Sequence, residues 1–149
     1  MKNTGWICSF SPETWDICQK DGCRYVAFGL YRKKSAARIR VGDRLFVYVY
    51  KEMSFKGILV AKSYSYLSYD RSTYTPIDNY PVMLDAEADT ILPNGNGICF
   101  ESLSRKLILF SGIRVKNRHH TLRVSPLQLR SDDSQILKEA IISKYDSIS

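Results

Sequence analysis

The side chains most often used for metal binding and acid–base chemistry are scarce in this sequence of 149 residues. Its cysteines are Cys8, Cys18, Cys23 and Cys99. Cys18 and Cys23 form one close pair, but a structural zinc site normally needs a second pair at a matching offset, which the sequence lacks. We therefore interpret the cysteines as reduced thiols buried in the core. We expect neither a metal site nor any other cofactor.

The two histidines, His119 and His120, are adjacent and are the only imidazoles available for general acid–base catalysis. Neighbouring residues of one strand face opposite sides, so the pair is poorly placed to bind one tetrahedral zinc ion. Their position after the basic residues Lys116 and Arg118 favours a solvated edge instead. The sequence also has no nucleophile elbow, phosphate-binding loop, dinucleotide-binding fingerprint or metalloprotease helix. The motifs therefore predict no catalytic residue.

Charge is a stronger signal: there are 22 lysines and arginines against 15 acids, a formal net charge of +7, together with 10 tyrosines. Ten cations and two acids lie between Arg24 and Lys62, six acids lie between Asp70 and Glu101, and seven cations follow from Arg105 to Arg130 without an acid. Two basic segments around an acidic one suit a polyanion if the fold brings them together, and tyrosine rings can stack on bases. The simpler interpretation is that the charge only keeps the protein soluble.

The elements that position these residues follow from hydropathy periodicity and turn signals. A short β-prone run over residues 6–10 precedes a helix that Ser11 caps, that Pro12 begins and that ends near residue 19. The clearest strand covers residues 44–50, and 55–61 is its predicted hairpin partner. The remaining predicted elements are strands over 23–30, 80–86, 107–110 and 121–124, a loop over 92–97, a helical turn over 101–106 and a final helix capped by residues 131–133.

Together these elements predict an α+β fold with a five- or six-stranded, mostly antiparallel, barrel-like sheet and small flanking helices. The length and the ordinary composition, 44% hydrophobic and 25% charged, predict one domain over residues 1–149. The longest apolar runs have about five residues, whereas a membrane span needs roughly 20. The first ten residues lack the pattern of a signal peptide. We therefore expect a cytoplasmic protein with no membrane partner.

The order of several short motifs adds a family resemblance. The motifs are Trp6-Ile7-Cys8-Ser9, Ser11-Pro12-Glu13-Thr14-Trp15, Phe28-Gly29-Leu30, Arg40-Val41-Gly42-Asp43, Phe55-Lys56-Gly57-Ile58, Tyr80-Pro81-Val82 and Lys116-Asn117-Arg118. Their order and spacing over residues 5–143 resemble those of EVE domains, which belong to the PUA-like superfamily and are similar to YTH domains. Phe28 stands where that family usually has tryptophan, His119-His120 stands near another family tryptophan, and Phe10 stands where YTH domains have a base-reading asparagine. These departures leave open which modified base is recognised.

The resemblance implies a PUA-like barrel that reads modified DNA or RNA. A flipped cytosine or adenine, methylated or otherwise modified, would enter an aromatic-walled pocket while basic flanks bind the phosphate backbone. Phe28 and either Tyr69 or Tyr80 would be the walls, and Gly29 would offer its backbone. The implied pocket residues are Ser9, Ser11, Thr14, Phe28, Gly29, Tyr69, Tyr80 and Asn117, and the implied phosphate-binding residues are Arg32, Lys33, Lys34, Arg114, Lys116 and Arg118. Similar domains serve modification-dependent nucleases and motor proteins, so an effector of that kind on another chain is a further expected partner.

Two alternatives stay open from the sequence. ASCH domains share the superfamily, and some resemble ribonucleases or amidohydrolases of acetylated cytidine. An enzyme of that kind would use Glu13 and Thr14 with a lysine or arginine, but the first turn of a helix explains Glu13 without catalysis, so we expect no enzyme activity. The second alternative is a protein-interaction domain whose basic face binds an acidic partner. Weak salt dependence and no base preference would indicate it.

Overall fold

The computed structural model describes residues 3–68, 80–114, 118–122 and 124–148, with the backbone alone at 119 and 120. Within these ranges the chain forms an α+β fold in which eight strands join one curled sheet. The strands are β1 (Gly5–Phe10), β2 (Tyr25–Phe28), β3 (Arg44–Val49), β4 (Ser54–Ala61), β5 (Tyr66–Leu67), β6 (Val82–Ile91), β7 (Ile98–Cys99) and β8 (Leu127–Gln128). The helices are α1 (Pro12–Lys20), α2 (Lys33–Ala36), α3 (Phe100–Ser104), α4 (Arg118–Thr121) and α5 (Ser131–Ile148), and 3-10 turns cover Leu30–Arg32 and Ile108–Phe110.

The strands lie in the order β2-β6-β4-β3-β1-β8, with β5 beside β6 and β7 beside β4. These pairs are antiparallel except β1 with β3, which are parallel from Gly5 opposite Arg44 to Phe10 opposite Val49. A parallel pair needs a crossover connection, and the segment containing α1, β2 and α2 supplies it. Five strands have four or more residues and the other three have two. The predicted α+β, mostly antiparallel and barrel-like sheet is therefore confirmed.

The junction between β1 and α1 forms as the sequence predicts. Ser11 is the N-cap and Pro12 is the first helical residue. The hydroxyl oxygen of Ser11 accepts the N–H of Thr14 at 3.0 Å, and the hydroxyl oxygen of Thr14 accepts the N–H of Ser11 at 2.9 Å. This reciprocal cap satisfies donors that the first turn of a helix leaves unpaired. It fixes the direction in which the chain leaves β1.

Alternate residues of β1 enter two different hydrophobic cores, because side chains of a strand point to opposite faces. Trp6, Cys8 and Phe10 belong to a core that also contains Trp15 of α1, whereas Ile7 belongs to a second core. Both tryptophans are buried. The second core includes Leu137 and Ile141 of α5, which confirms the predicted final helix. Of the described helices, none has the length and hydropathy needed to cross a membrane.

Two predicted strands in the C-terminal part of the chain are wrong. Residues 107–110 contain the 3-10 turn Ile108–Phe110, and Thr121 ends α4 instead of starting a strand. The carboxylate of Asp133, which is 1% exposed, accepts the first two N–H groups of that turn at 2.7 and 2.8 Å. Those donors are therefore satisfied by a side chain of α5 and not by a neighbouring strand. The local pattern of apolar residues contains no sign of this distant partner.

Candidate binding site

A cavity of about 390 Å³ lies where the last residues of β1 and β2 come close to residue 125. In the order of the sheet β1 and β2 are four positions apart, so the curl of the sheet is what brings their ends together. The lining residues are Ser9, Ala27, Phe28, Gly29, Tyr31, Arg32, Tyr50, Tyr80 and Ser125. The volume is within the range of about 300–1,000 Å³ typical of small-ligand sites.

Four aromatic rings line this cavity at different depths. Phe28 is 4% exposed and belongs to the first core, and Tyr80 is half-buried against the same core. Tyr50 and Tyr31 are 42% and 84% exposed. The aromatic surface therefore extends from the protein interior to solvent. A flat apolar ligand could be enclosed at one end while a neighbouring group contacts Tyr31.

The turn after β2 places the basic edge of the cavity. β2 ends at Phe28, and Gly29 continues in an extended conformation before the carbonyl of Gly29 accepts the N–H of Arg32 at 2.9 Å. This 3-10 turn brings Tyr31 and Arg32 back to the cavity, where the Arg32 guanidinium lies 4.9 Å from the centre of the Tyr31 ring. A cation over an aromatic ring is attracted by the ring's electrons. The pair therefore combines a stacking surface with a positive charge.

The polar part of the lining comes from β1 and from the segment before β8. The N–H of Ser9 donates to the hydroxyl oxygen of Ser125 at 3.0 Å, and the hydroxyl of Ser9 donates to the carbonyl oxygen of Leu122. These contacts attach Leu122 and Ser125 to β1. The hydroxyl proton of Ser125 has no acceptor within the described part of the chain. It is therefore available to a hydrogen-bond acceptor of a ligand.

A smaller cavity of about 70 Å³ adjoins the first and shares Ser9, Ala27, Tyr50 and Tyr80 with it. Ser11 and Thr14 line only this smaller cavity. Their hydroxyls form the cap of α1, with 3.0 Å between the two oxygens, and the Thr14 hydroxyl also donates to the carbonyl of Ser11 at 3.1 Å. The cap therefore already uses the hydroxyls of Ser11 and Thr14, which the family resemblance places in the base pocket. Ser11 and Thr14 thus lie beside the larger cavity and not in its lining.

The structure brings five predicted site residues together at the larger cavity: Ser9, Phe28, Gly29, Arg32 and Tyr80. Among the predicted phosphate-binding residues, Lys33 and Lys34 are exposed on α2, next to Arg32, and Arg114 is exposed farther along the chain. Arg118 is half-buried, and its guanidinium donates to the carbonyls of Ile113 at 3.1 Å and Ser104 at 3.3 Å. It therefore holds two parts of the chain together. The predicted residues Tyr69, Lys116 and Asn117 lie outside the described residues.

The sequence interpretation missed Tyr31, Tyr50 and Ser125. It named Tyr69 and Tyr80 as the tyrosines of the pocket and did not name Tyr31 or Tyr50, although both line the cavity. The sequence does contain a signal for Tyr31, because a residue three positions after Phe28, just beyond the glycine that follows the strand, is expected to lie near Phe28. No comparable signal marked Ser125, since its position depends on a contact with β1 that is 116 residues away in sequence.

The titratable side chains in the described lining of the cavity are three tyrosines and one arginine. Among the described lining residues there is no aspartate, glutamate, histidine, cysteine or lysine. Glu13 is exposed on the first turn of α1, and hydrogen bonds from its own backbone N–H and from the Ser11 hydroxyl lower the pKa of its carboxyl group. Burial raises the pKa of the Cys8 thiol to about 12, which keeps it protonated. The chemistry of the lining is that of binding by stacking and hydrogen bonds.

Comparison with known proteins gives a relationship of fold. No protein-family model and no curated protein matches the sequence. The Pho92 YTH domain, solved in complex with m6A, superposes with a TM-score of 0.71 at 14% identity over 93% of this chain and 83% of that one. The YTH domain of the Zygosaccharomyces rouxii MRB1 protein, in complex with N6-methyladenosine RNA, gives 0.65 at 14% identity over 93% and 86%. A hypothetical protein from Leishmania major gives 0.64 at 13% identity over 96% and 97%.

The chain has a YTH-like fold. Identities of 13–14% show the shared architecture and do not assign a ligand. The YTH-like fold includes the curled sheet. The resemblance to EVE domains in particular stays a prediction.

Proposed function

We propose that this protein is a non-enzymatic reader of modified nucleic acid, and that a flipped modified base of single-stranded RNA occupies the cavity at the ends of β1 and β2. The observation that carries the proposal is the lining of that cavity by Phe28, Tyr31, Tyr50 and Tyr80. The YTH domains of Pho92 and MRB1 share the fold and were solved with m6A and with N6-methyladenosine RNA, and that of mmi1 was solved with RNA. These neighbours favour RNA over DNA.

The aromatic lining matches the energetic needs of a flipped base. A base taken out of its stack loses stacking energy, and aromatic side chains return roughly 1–3 kcal/mol per base. Phe28, at 4% exposure, forms the dry part of the cavity, where burial of an added methyl carbon contributes on the order of 0.8 kcal/mol. That energy corresponds to about a fourfold gain in affinity for the methyl group alone. Selectivity beyond this value requires tight packing of the group against the rings.

Polar groups in the same lining suit the edge of a base. The free hydroxyl proton of Ser125 suits a ring nitrogen or carbonyl of the base, and Gly29 brings backbone to the cavity without a side chain. The charge of Arg32 lies at the edge of the cavity, and Lys33 and Lys34 follow it on α2. Cations in this position suit the phosphates on either side of the flipped base.

The enzyme alternative has less support. An ASCH-like hydrolase would use Glu13 and Thr14 together with a lysine or arginine. The pKa of the Glu13 carboxyl group is lowered, and the hydroxyl of Thr14 takes part in the cap of α1. General base catalysis works best with a group whose pKa lies near the working pH. An effector nuclease or motor protein on another chain fits a reader that acts by binding alone.

Direct titration of labelled RNA tests the proposal. Matched oligonucleotides would carry one N6-methyladenosine, 5-methylcytidine, 5-hydroxymethylcytidine or N4-acetylcytidine, each beside its unmodified form and its DNA equivalent. We expect at least one modified RNA to bind roughly tenfold more tightly than its unmodified form, from methyl burial plus contact with the rings. Equal affinity for every modified and unmodified pair would overturn the proposal.

The variant Tyr31→Ala links that preference to the cavity. Tyr31 is 84% exposed, so its removal should leave the melting temperature unchanged and should weaken binding of the preferred RNA at least about fivefold. Tyr145→Ala removes an exposed tyrosine from α5 and serves as the matched control, with no expected effect. If both variants behave like wild type, Tyr31 takes no part in binding.

A further inference from the structure

A second concavity, of about 540 Å³, lies around the first residues of β1, away from the cavity that contains Phe28. We call it the arginine groove. Its lining includes Thr4, Trp6, Arg38, Arg40, Tyr64 and Gln128. The short helix α2 separates the two sites, because Arg32 borders the base cavity and Arg38 borders the groove six residues later.

The chain between the two sites is strongly basic. Residues 32–40 include Arg32, Lys33, Lys34, Arg38 and Arg40 and contain no acid. None of the five forms an ion pair with another residue in the described ranges. Cations without acidic neighbours retain their positive potential and attract a polyanion. A basic path therefore connects the base cavity with the arginine groove.

The one acid in the described lining of the groove is Asp43, which is buried beneath the basic residues. Asp43 is 3% exposed, and its carboxylate accepts the N–H of Thr4 at 2.9 Å, the indole N–H of Trp6 at 3.0 Å and the backbone N–H of Arg40 at 2.9 Å. These three charge-assisted hydrogen bonds satisfy the carboxylate within the protein. They also hold the backbone of Arg40 in place at the edge of the groove.

Flat groups for stacking are exposed in the same place. Tyr64 is 63% exposed. The guanidinium of Arg38 lies 6.0 Å from the Trp6 ring centre and donates to the side-chain oxygen of Gln128 at 2.6 Å, which fixes its plane. Tyrosine rings and guanidinium planes are surfaces on which unpaired bases stack. The groove thus combines positive charge with stacking surfaces, which is the usual composition of a path for a single strand.

We infer that the arginine groove binds the flanking segment of the RNA whose modified base occupies the base cavity. In this arrangement the strand passes over Lys33 and Lys34 on α2, Arg38 and Arg40 contact phosphates, and Tyr64 stacks with a base. The inference rests on the proposed function for the anchoring base. It adds a second contact region with a defined direction, since α2 leads from one site to the other.

A length series tests this inference. RNAs of about four and about nine nucleotides would each carry one adenosine or N6-methyladenosine, with the extra nucleotides placed either 5′ or 3′ of that base. We expect extension on one side, and not on the other, to tighten binding about tenfold. The variant Arg38→Ala/Arg40→Ala should remove that gain, leave the short RNA unaffected and reduce the salt slope by about 0.7 for each phosphate that the variant no longer binds.

Controls separate the groove from nonspecific charge and from the base cavity. Lys20→Ala removes one exposed cation at the far end of α1 and should leave the length gain intact, whereas Tyr64→Ala should reduce affinity for the long RNA at least about fivefold. If every modified RNA of the titration above binds like its unmodified form but the length gain depends on the arginines, the reader proposal fails and the groove stands. If extension has no effect on either side, or the double variant weakens short and long RNA alike, the groove inference is overturned.

Discussion

The base cavity and the arginine groove differ in the kind of interaction that their residues offer. The cavity is built from Phe28 and three tyrosines, with Arg32 as its one charged residue among those described. The groove is larger, more polar and bordered by Arg38 and Arg40. Ring stacking depends on the shape of a base, whereas contact with phosphate is the same for every sequence. This difference indicates that selectivity for the base and overall affinity for RNA can reside in two separate sites, which α2 joins.

Among the predicted effects, the largest is expected from substitution of Phe28 in the base cavity. Phe28→Ala removes a buried ring and should lower the free energy of unfolding by about 3–5 kcal/mol. Chemical denaturation measures that loss. In the variant, the affinity for modified RNA should fall to that for unmodified RNA, while the salt dependence stays the same.

Phe28→Leu keeps most of the volume and protects this test against simple unfolding. It should fold with a smaller loss of stability and still bind modified RNA less well than wild type, because leucine offers no ring face. An unchanged ratio of modified to unmodified affinity in Phe28→Leu would mean that Phe28 acts in the core alone.

Substitution of Asp43 tests the buried hydrogen bonds that support the arginine groove. Asp43→Ala leaves the N–H groups of Thr4, Trp6 and Arg40 without their acceptor. We expect a loss of about 2–3 kcal/mol in the free energy of unfolding, measured by denaturant titration, because buried unpaired donors are costly. The ratio of modified to unmodified affinity should stay as in wild type, since Asp43 does not line the base cavity. A changed ratio would show that the two sites are coupled.

The smallest effect is expected at α2, where the two sites meet. Lys33 is exposed and has no acidic partner in the described residues, so Lys33→Ala should not change stability. Binding of modified and unmodified RNA should weaken by the same factor, and the salt slope should fall by about 0.7. Affinity measured at several salt concentrations checks both. A selective loss for modified RNA would instead assign Lys33 to the base cavity.

How much of the site the sequence predicts depends on how local each contact is. The cap of α1 was predictable because Ser11, Pro12 and Thr14 interact within one helical turn. The existence of β2 was predictable from an apolar run, but the predicted strand over residues 23–30 extended beyond its end at Phe28. Ser125 was not predictable, since its hydroxyl reaches β1 only in the folded chain. The 3-10 turn Ile108–Phe110 was mistaken for a strand because its cap, Asp133, lies in another helix.

The exposed tyrosines show the same limit. The sequence around Tyr31, Tyr50 and Tyr64 does not indicate which of these rings lie at the same site. The structure separates them, with Tyr31 and Tyr50 at the base cavity and Tyr64 at the arginine groove. Composition indicates that rings and positive charge are abundant. It contains no information on which rings share a concave surface.

By itself the sequence determined the α+β class, the helix that follows β1, the β3–β4 hairpin and the basic character of residues 32–40, because these depend on neighbours within a few positions. The tertiary structure alone decided that the ends of β1 and β2, four places apart in the sheet, meet around one cavity. It also decided that Arg38 and Arg40 border a separate groove with Trp6 and Tyr64. The physical reason is that the curled sheet is completed by pairs of strands far apart in the chain, such as β1 with β8 and β2 with β6, which no local pattern encodes.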